Sequence, residues 1–156
     1  MSVGHGMQPT IRKAAIGDLP AMLDLYSQLN AEDRLPDTGS AAAVWARILS
    51  SEMMSVLVAE LDGRVVATCV LVVAPNLTRN MRPFALIENV VTERGLRGSG
   101  VGKRVIQAAI EQAWAEGCYK VMLLTGRKDE AVLGFYEACG FKRGKTAFEI
   151  RRPVAS

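Results

Sequence analysis

The chain has 156 residues, about half of them apolar, and a formal net charge of +3, the size and composition of one domain whose core needs neither disulfides nor metals. No uninterrupted apolar stretch approaches the roughly 20 residues of a membrane-spanning helix, and the positive charge is not gathered into a basic stripe, so neither a membrane nor a nucleic acid is expected as a partner. The one histidine is His5, and Cys69, Cys118 and Cys139 lie far apart among apolar neighbours; a histidine-based triad in the folded body and a cysteine–histidine metal site are thereby excluded, and reduced thiols in a cytoplasmic protein are expected.

Residues 1–9 are polar and contain glycine, without the apolar stretch of a secretory signal, and are expected to be a disordered lead to a single domain over 10–156. Thr10 to Ala14 reads as a short strand. Asp18 is expected to cap a helix with Leu19, Met22, Leu23, Tyr26 and Leu29 on one face, ending near Asn30. A second helix is expected from about Ser40 to Ser50, with Ala42, Trp45, Ala46 and Leu49 at helical spacing. Val56 to Glu60 and Arg64 to Val73 are β-rich runs joined through Asp62-Gly63, a hairpin signal that predicts an antiparallel pair. After a polar loop over Pro75 to Arg82, the strand Ala85 to Thr92 leads into a glycine-rich turn and a long helix that ends before Gly117 and carries Val101, Val105, Ala109 and Ala113 at four-residue steps. Alternation along Leu86, Glu88 and Val90 puts the three on one face of that strand. Lys120 to Thr125 reads as a strand, Asp129 to Cys139 as a helix stopped by Gly140, and Phe141 onward as a strand pair turning at Arg143-Gly144-Lys145. Antiparallel strands followed by strand–helix–strand–helix–strand make a mixed α/β fold with helices on both faces of a central sheet. Trp45 and Trp114 both read as packing residues, and the cysteines as small buried hydrophobes rather than nucleophiles.

The most informative segment is Arg97-Gly98-Ser99-Gly100-Val101-Gly102. The first turn of a helix carries amide hydrogens with no intrahelical partner, and the helix dipole adds positive potential there, so a turn of this kind suits a phosphate. Glycine permits positive φ and has no Cβ to hold a ligand away from the amides. Arg97 and Lys103 add cations at the rim. The segment is not a Walker A loop, which needs glycine where Arg97 stands and Ser or Thr where Arg104 stands, nor a dinucleotide fingerprint, which needs glycine at Lys103.

Arg97-x-x-Gly100-x-Gly102 resembles the acetyl-coenzyme A motif of the GCN5-related N-acetyltransferases, and Gly134-Phe135-Tyr136-Glu137-Ala138-Cys139-Gly140-Phe141 resembles that superfamily's late helix with its Phe-Tyr-Glu-x-x-Gly-Phe ending. Within the superfamily, Ile87-Glu88-Asn89-Val90-Val91 and Gly117-Cys118-Tyr119-Lys120-Val121 are most similar to glucosamine-phosphate N-acetyltransferases, which usually have an acidic residue where Asn89 stands. The resemblance implies a mostly antiparallel, twisted central sheet and an enzyme that moves the acetyl group of acetyl-CoA directly to a primary amine, and family members are often homodimers.

It also implies roles for particular residues. The pyrophosphate of coenzyme A would sit on the amides of Gly98, Ser99, Gly100, Val101, Gly102 and Lys103 with Arg97 beside it, and its pantetheine arm would pair with Val90, Val91 and Thr92 like an added strand. An amide near Val90 would polarise the thioester carbonyl. Tyr136, next to Phe135 at the cofactor, is the candidate acid for the leaving thiolate, and Glu88 the candidate base for the amine. Asp129 occupies the place of a family asparagine that touches the coenzyme, and also reads as a helix N-cap. No metal enters this chemistry. A non-catalytic acyl-coenzyme A sensor would keep the same loop without turnover.

Overall fold

A computed structural model describes residues 8–154. The expected lead, with His5, lies almost wholly outside them. The chain separates into two compact units, the first running to Leu123 and the second beginning at Leu124.

The first unit is a five-stranded sheet in the order β1-β2-β3-β4-β5, made of β1 (Thr10–Lys13), β2 (Met54–Leu61), β3 (Arg64–Ala74), β4 (Phe84–Thr92) and β5 (Val121–Leu123). The first four strands are antiparallel, and β5 pairs parallel with β4. The β2–β3 turn has Asp62 at φ 50° and Gly63 at φ 77°, the pair of left-handed residues that a two-residue hairpin needs to match strand twist.

Helices α1 (Leu19–Leu29) and α2 (Thr38–Leu49) share a core with β2 and β3 in which Leu19, Met22, Ala41 and Trp45 pack with Val56, Val58 and Val70. Trp45 is buried without an orphaned polar atom because its Nε1 donates to the Ile16 carbonyl at 3.1 Å. Helix α3 (Val101–Ala115) covers the other face: Val105, Ile106, Ala109 and Ala113 are buried, and the Cys69 sulfur lies 3.9 Å from the Val105 carbonyl oxygen. Strand side chains alternate between faces, so β3 sends Val70 to one pair of helices and Cys69 to the third. That is the expected two-sided mixed α/β sheet.

Several local expectations are corrected. Asp18 does not cap α1 with its side chain; its carboxylate accepts from the Ala15 amide at 2.6 Å and from Arg12 at 2.7 and 3.0 Å. Helix α2 begins two residues earlier than expected because Asp37 caps it, accepting from the Ser40 amide at 2.7 Å. Its buried stripe is Ala41 and Trp45 with Ile48 and Leu49 behind them, one step round from the expected face, and Ala42 and Ala46 are exposed. Leu29 on α1 is also exposed. Trp114 is 52% exposed, since the α3 stripe facing the sheet ends on Ala113 and the next residue is turned a quarter-circle away.

The second unit contains α4 (Glu130–Ala138), capped by Asp129 and followed by Gly140 at φ 101°. Beyond it the expected strand pair is not formed: no strand is found among the described residues after Leu123. A strand there requires a ladder partner and a cover for Phe148 and Ile150, yet these are 93% and 99% exposed among Lys142, Arg143, Lys145, Arg151 and Arg152.

Candidate active site

The glycine turn has the geometry that its sequence demands. Gly98 and Gly100 have φ of 81° and 91°, and a Cβ on either would meet no atom of the chain within 4 Å, so backbone conformation rather than crowding requires glycine. Gly100 is the N-cap of α3 and offers no side-chain cap. Helical bonding starts with the Arg104 amide donating to Gly100 at 3.2 Å, while the Val101 amide makes a long contact of 3.4 Å to the Ser99 hydroxyl. The amides of Gly102 and Lys103 fall in the first turn, where no intrahelical acceptor exists. Ser99 is folded back onto the Leu96 carbonyl through both its amide and its hydroxyl. Arg97 is exposed, with its Nε directed to the Thr92 carbonyl at 3.4 Å, so the cation stands where β4 enters the turn.

Strand β4 is irregular where the chemistry is expected. Glu88 pairs with Val70 and Val91 with Thr68, which leaves Asn89 and Val90 both opposite Cys69, and Asn89 is left-handed at φ 50°. This is a β-bulge. It overturns the plain alternation of Leu86, Glu88 and Val90: Val70 and Thr68 share a face of β3, so Val91 and not Val90 continues the face of Glu88. On the opposite edge β4 pairs with β5 only over Ala85, Leu86 and Ile87, and β5 ends at Leu123. From Glu88 to Thr92 that edge of β4 has no strand beside it among the described residues, and it runs directly to the glycine turn. Glu88 is exposed on the face turned to α1 and α2.

On α1, burial pushes the Tyr26 phenol up to about 12, an effect which the Asn89 side chain moderates. Neither Tyr26 nor the bulge was legible as part of a site. The available signal was an asparagine, a residue that tolerates left-handed backbone, in a run of β-branched neighbours.

In the second unit Asp129 caps α4, accepting from the Val132 amide at 3.1 Å and from Arg127 at 3.1 Å; chiefly the first of these holds its carboxyl below the usual range. Tyr136 and Phe135 are half-buried on α4, and the Tyr136 ring meets Phe135 and Phe141 edge-on with centroids 5.2 and 6.4 Å away. The Phe141 amide returns to the Tyr136 carbonyl, so the Phe-Tyr-Glu-x-x-Gly-Phe sequence closes on itself as a helix C-terminus at Gly140. Arg143 bridges Glu130 and Glu137. Cys69 and Cys118 are buried, and chiefly that burial pushes their thiols up, Cys69 to about 12.

Open amides at the mouth of α3, a cation beside them and an unpaired β4 edge leading to a bulge fit an extended ligand with a diphosphate at one end and an amide-bearing arm at the other. Residues 19–141 match the model of the acetyltransferase (GNAT) family. Glucosamine 6-phosphate N-acetyltransferase of Trypanosoma brucei brucei is 33% identical over 125 residues, 80% of this chain and 83% of the relative. Glucosamine 6-phosphate N-acetyltransferase 1 of Oryza sativa subsp. japonica is 30% identical over 141 residues, 88% of this chain and 84% of the relative. Among solved structures, a putative acetyltransferase from Agrobacterium tumefaciens superposes with a TM-score of 0.89 at 50% identity, covering 92% of this chain and 99% of the other. The chain belongs to the GNAT family and is an acetyl-CoA-dependent N-acetyltransferase.

Proposed function

We propose that the enzyme acetylates the primary amine of a small-molecule acceptor, and that this acceptor is an amino-sugar phosphate. The observation that carries the reading is the unpaired edge of β4 from Glu88 to Thr92, which joins an exposed carboxylate to a glycine turn of open amides. Two relatives with the glucosamine 6-phosphate name, each matched over four-fifths or more of both chains, support the acceptor class. The family match runs from 19 to 141, across the boundary between the units, which supports one catalytic domain.

In this reading the amides of Gly98 to Lys103, with Arg97, hold the diphosphate, and Val90 to Thr92 pair with the arm of the donor. An amide at the bulge, near Val90, donates to the thioester oxygen as negative charge gathers there. Glu88 takes a proton from the acceptor ammonium, directly or through a water, and the freed nitrogen attacks the acetyl carbon. The carbon–sulfur bond then breaks, and Tyr136 supplies a proton to the departing sulfur. The second proton lost by the acylated nitrogen passes through water to restore the phenol, while Glu88 releases its proton to solvent. Asp129 and Phe135 flank the donor beside Tyr136. No step requires a metal. The buried thiols Cys69 and Cys118 support residence in the cytoplasm, and the exposed Phe148 and Ile150 support a homodimer that covers them.

The test is thiol release from acetyl-CoA with a panel of glucosamine 6-phosphate, glucosamine, polyamines, amino acids and aminoglycosides. Fastest turnover with glucosamine 6-phosphate is expected. Turnover confined to another acceptor would replace the amino-sugar phosphate, and binding without any acceptor-dependent thiol would identify an acyl-CoA sensor.

A further inference from the structure

The glycine turn is easily bent, and what fixes it starts on α1. Every residue from 94 to 100 except Leu96 is exposed, and no atom of the chain comes within 4 Å of where a Cβ would stand on Gly95, Gly98 or Gly100. Side-chain packing therefore does little to set the turn, and the glycines add backbone freedom. Its conformation has to come from hydrogen bonds.

Those bonds form one continuous chain. A 3-10 turn over Arg94–Leu96 stands between β4 and Gly98, and its N-cap, Glu93, gives no side-chain cap. The opening amide, that of Arg94, donates instead to Gln28 Oε1 at 2.9 Å, across 66 residues of sequence. From there the Leu96 amide donates to the Glu93 carbonyl at 2.8 Å, the Ser99 amide and hydroxyl to the Leu96 carbonyl, and the Val101 amide to the Ser99 hydroxyl at 3.4 Å. Val101 is the first residue of α3, followed at once by Gly102 and Lys103. Glu93 secures the other side of the turn: its amide donates to the Val66 carbonyl at 2.8 Å, and its carboxylate accepts from Arg64 at 2.9 Å.

Gln28 acts here through its oxygen rather than by packing. It lies half-buried in the last turn of α1, a helix fixed in the core by Met22 and Leu25. A cleft of about 350 Å³ opens beside it, with Asp24, Arg64 and Glu93 on its walls, so replacing the side chain leaves no void in a packed core. Water entering the cleft can satisfy the Arg94 amide, but it does not tie the turn to α1.

We propose that Gln28 is a positioning residue for the donor: by holding the Arg94 amide it keeps the first amides of α3 aimed at the diphosphate of coenzyme A before the ligand arrives. This assignment rests on the diphosphate reading above. A turn fixed beforehand spares the ligand the cost of ordering it, and the difference appears as affinity.

The decisive quantity is the ratio of kcat/KM for acetyl-CoA to that for S-acetylpantetheine, which has the same thioester and arm but no diphosphate. It is measured at saturating amine in the parent chain, Gln28→Leu, Gln28→Glu and Gly100→Ala. Gln28→Leu, which has no acceptor oxygen, should lower the ratio about five- to ten-fold through KM for acetyl-CoA, with kcat kept. Gln28→Glu, which keeps an oxygen at the same reach, should stay within about two-fold of the parent. A general folding defect lowers both constants and leaves the ratio in place. An unchanged ratio in Gln28→Leu, or an equal loss in Gln28→Glu, overturns the proposal. If Gly100→Ala lowers the ratio while Gln28→Leu does not, the diphosphate reading stands and only the role of Gln28 falls; a parent that does not distinguish the two donors removes the diphosphate reading and the proposal with it. A second arm uses no donor and follows the backbone amides of the free protein by NMR. Hydrogen exchange at Arg94 should rise about ten-fold in Gln28→Leu, with shift changes reaching Gly102 and Lys103. Changes confined to Arg94 overturn the relay.

Discussion

Glu88 and Val91, three residues apart on β4, stand on the same face of the sheet because Asn89 turns left-handed between them. In a regular strand they would point to opposite faces. The extra residue redirects the backbone at the place where β4 passes the end of β5, next to the exposed Glu88 carboxylate.

Asn89 is therefore a conformational residue, and two substitutions separate its backbone role from its side chain. Asn89→Gly should stay within about 1 kcal/mol of the parent, since glycine adopts φ 50° at no steric cost. Asn89→Val should cost about 1–3 kcal/mol, because a β-branched residue resists that conformation, and should depress kcat as well. Urea midpoints and steady-state rates for the two variants check this; equal behaviour would remove the bulge from the account.

Gly100 sets the entry to α3 at φ 91°. Gly100→Ala is expected to cost about 1–2 kcal/mol of stability and to weaken coenzyme A binding about ten-fold, whereas Gly144→Ala, at a glycine with ordinary φ and open surroundings, should change neither. Calorimetric titration with coenzyme A is the measurement.

The proposed proton carriers give separate kinetic signatures. Tyr136→Phe should bind coenzyme A nearly as the parent does and lose about 100-fold in kcat. Glu88→Gln should lower kcat/KM for the amine about 100-fold with coenzyme A binding kept. An unaltered kcat in the first, or an unaltered kcat/KM in the second, takes that residue out of the mechanism.

Asp18 supplies a pH-dependent part of the stability. Its carboxyl is held below the usual range chiefly by the Arg12 hydrogen bond, with burial opposing and the Ala15 amide assisting, and its side chain is 13% exposed. Arg12 is raised in turn by Asp18 and Glu60. A depressed carboxylate stabilises fully above its unfolded value of about 3.9 and loses that contribution as pH falls through the folded value. Asp18→Asn should thus cost about 1.5–3 kcal/mol at pH 7, with the gap to the parent closing below about pH 4. Unfolding curves at pH 7 and pH 3 report it.

Much of the frame could be read from the sequence because it depends on local rules. Asp62-Gly63 specified the hairpin, the four-residue steps from Val101 to Ala113 specified the sheet-facing side of α3, and Gly98 and Gly100 were the left-handed positions of the turn. What escaped depends on contacts between distant parts of the chain. The bulge at Asn89 is defined by register against Thr68 and Val70. Asp18 exchanged a capping role for Arg12, six residues earlier. The strand pair after Phe141 was expected from its turn at Arg143-Gly144-Lys145, but a strand forms only where a neighbour completes the ladder.

The most direct measurement is a calorimetric titration of the protein with acetyl-CoA, followed by addition of glucosamine 6-phosphate with thiol and product counted together. Saturable donor binding, reduced about ten-fold by Gly100→Ala, and one thiol released for each N-acetylated sugar are the results predicted. A folded protein with no affinity for the donor, or thiol release that does not depend on any amine, would contradict the account.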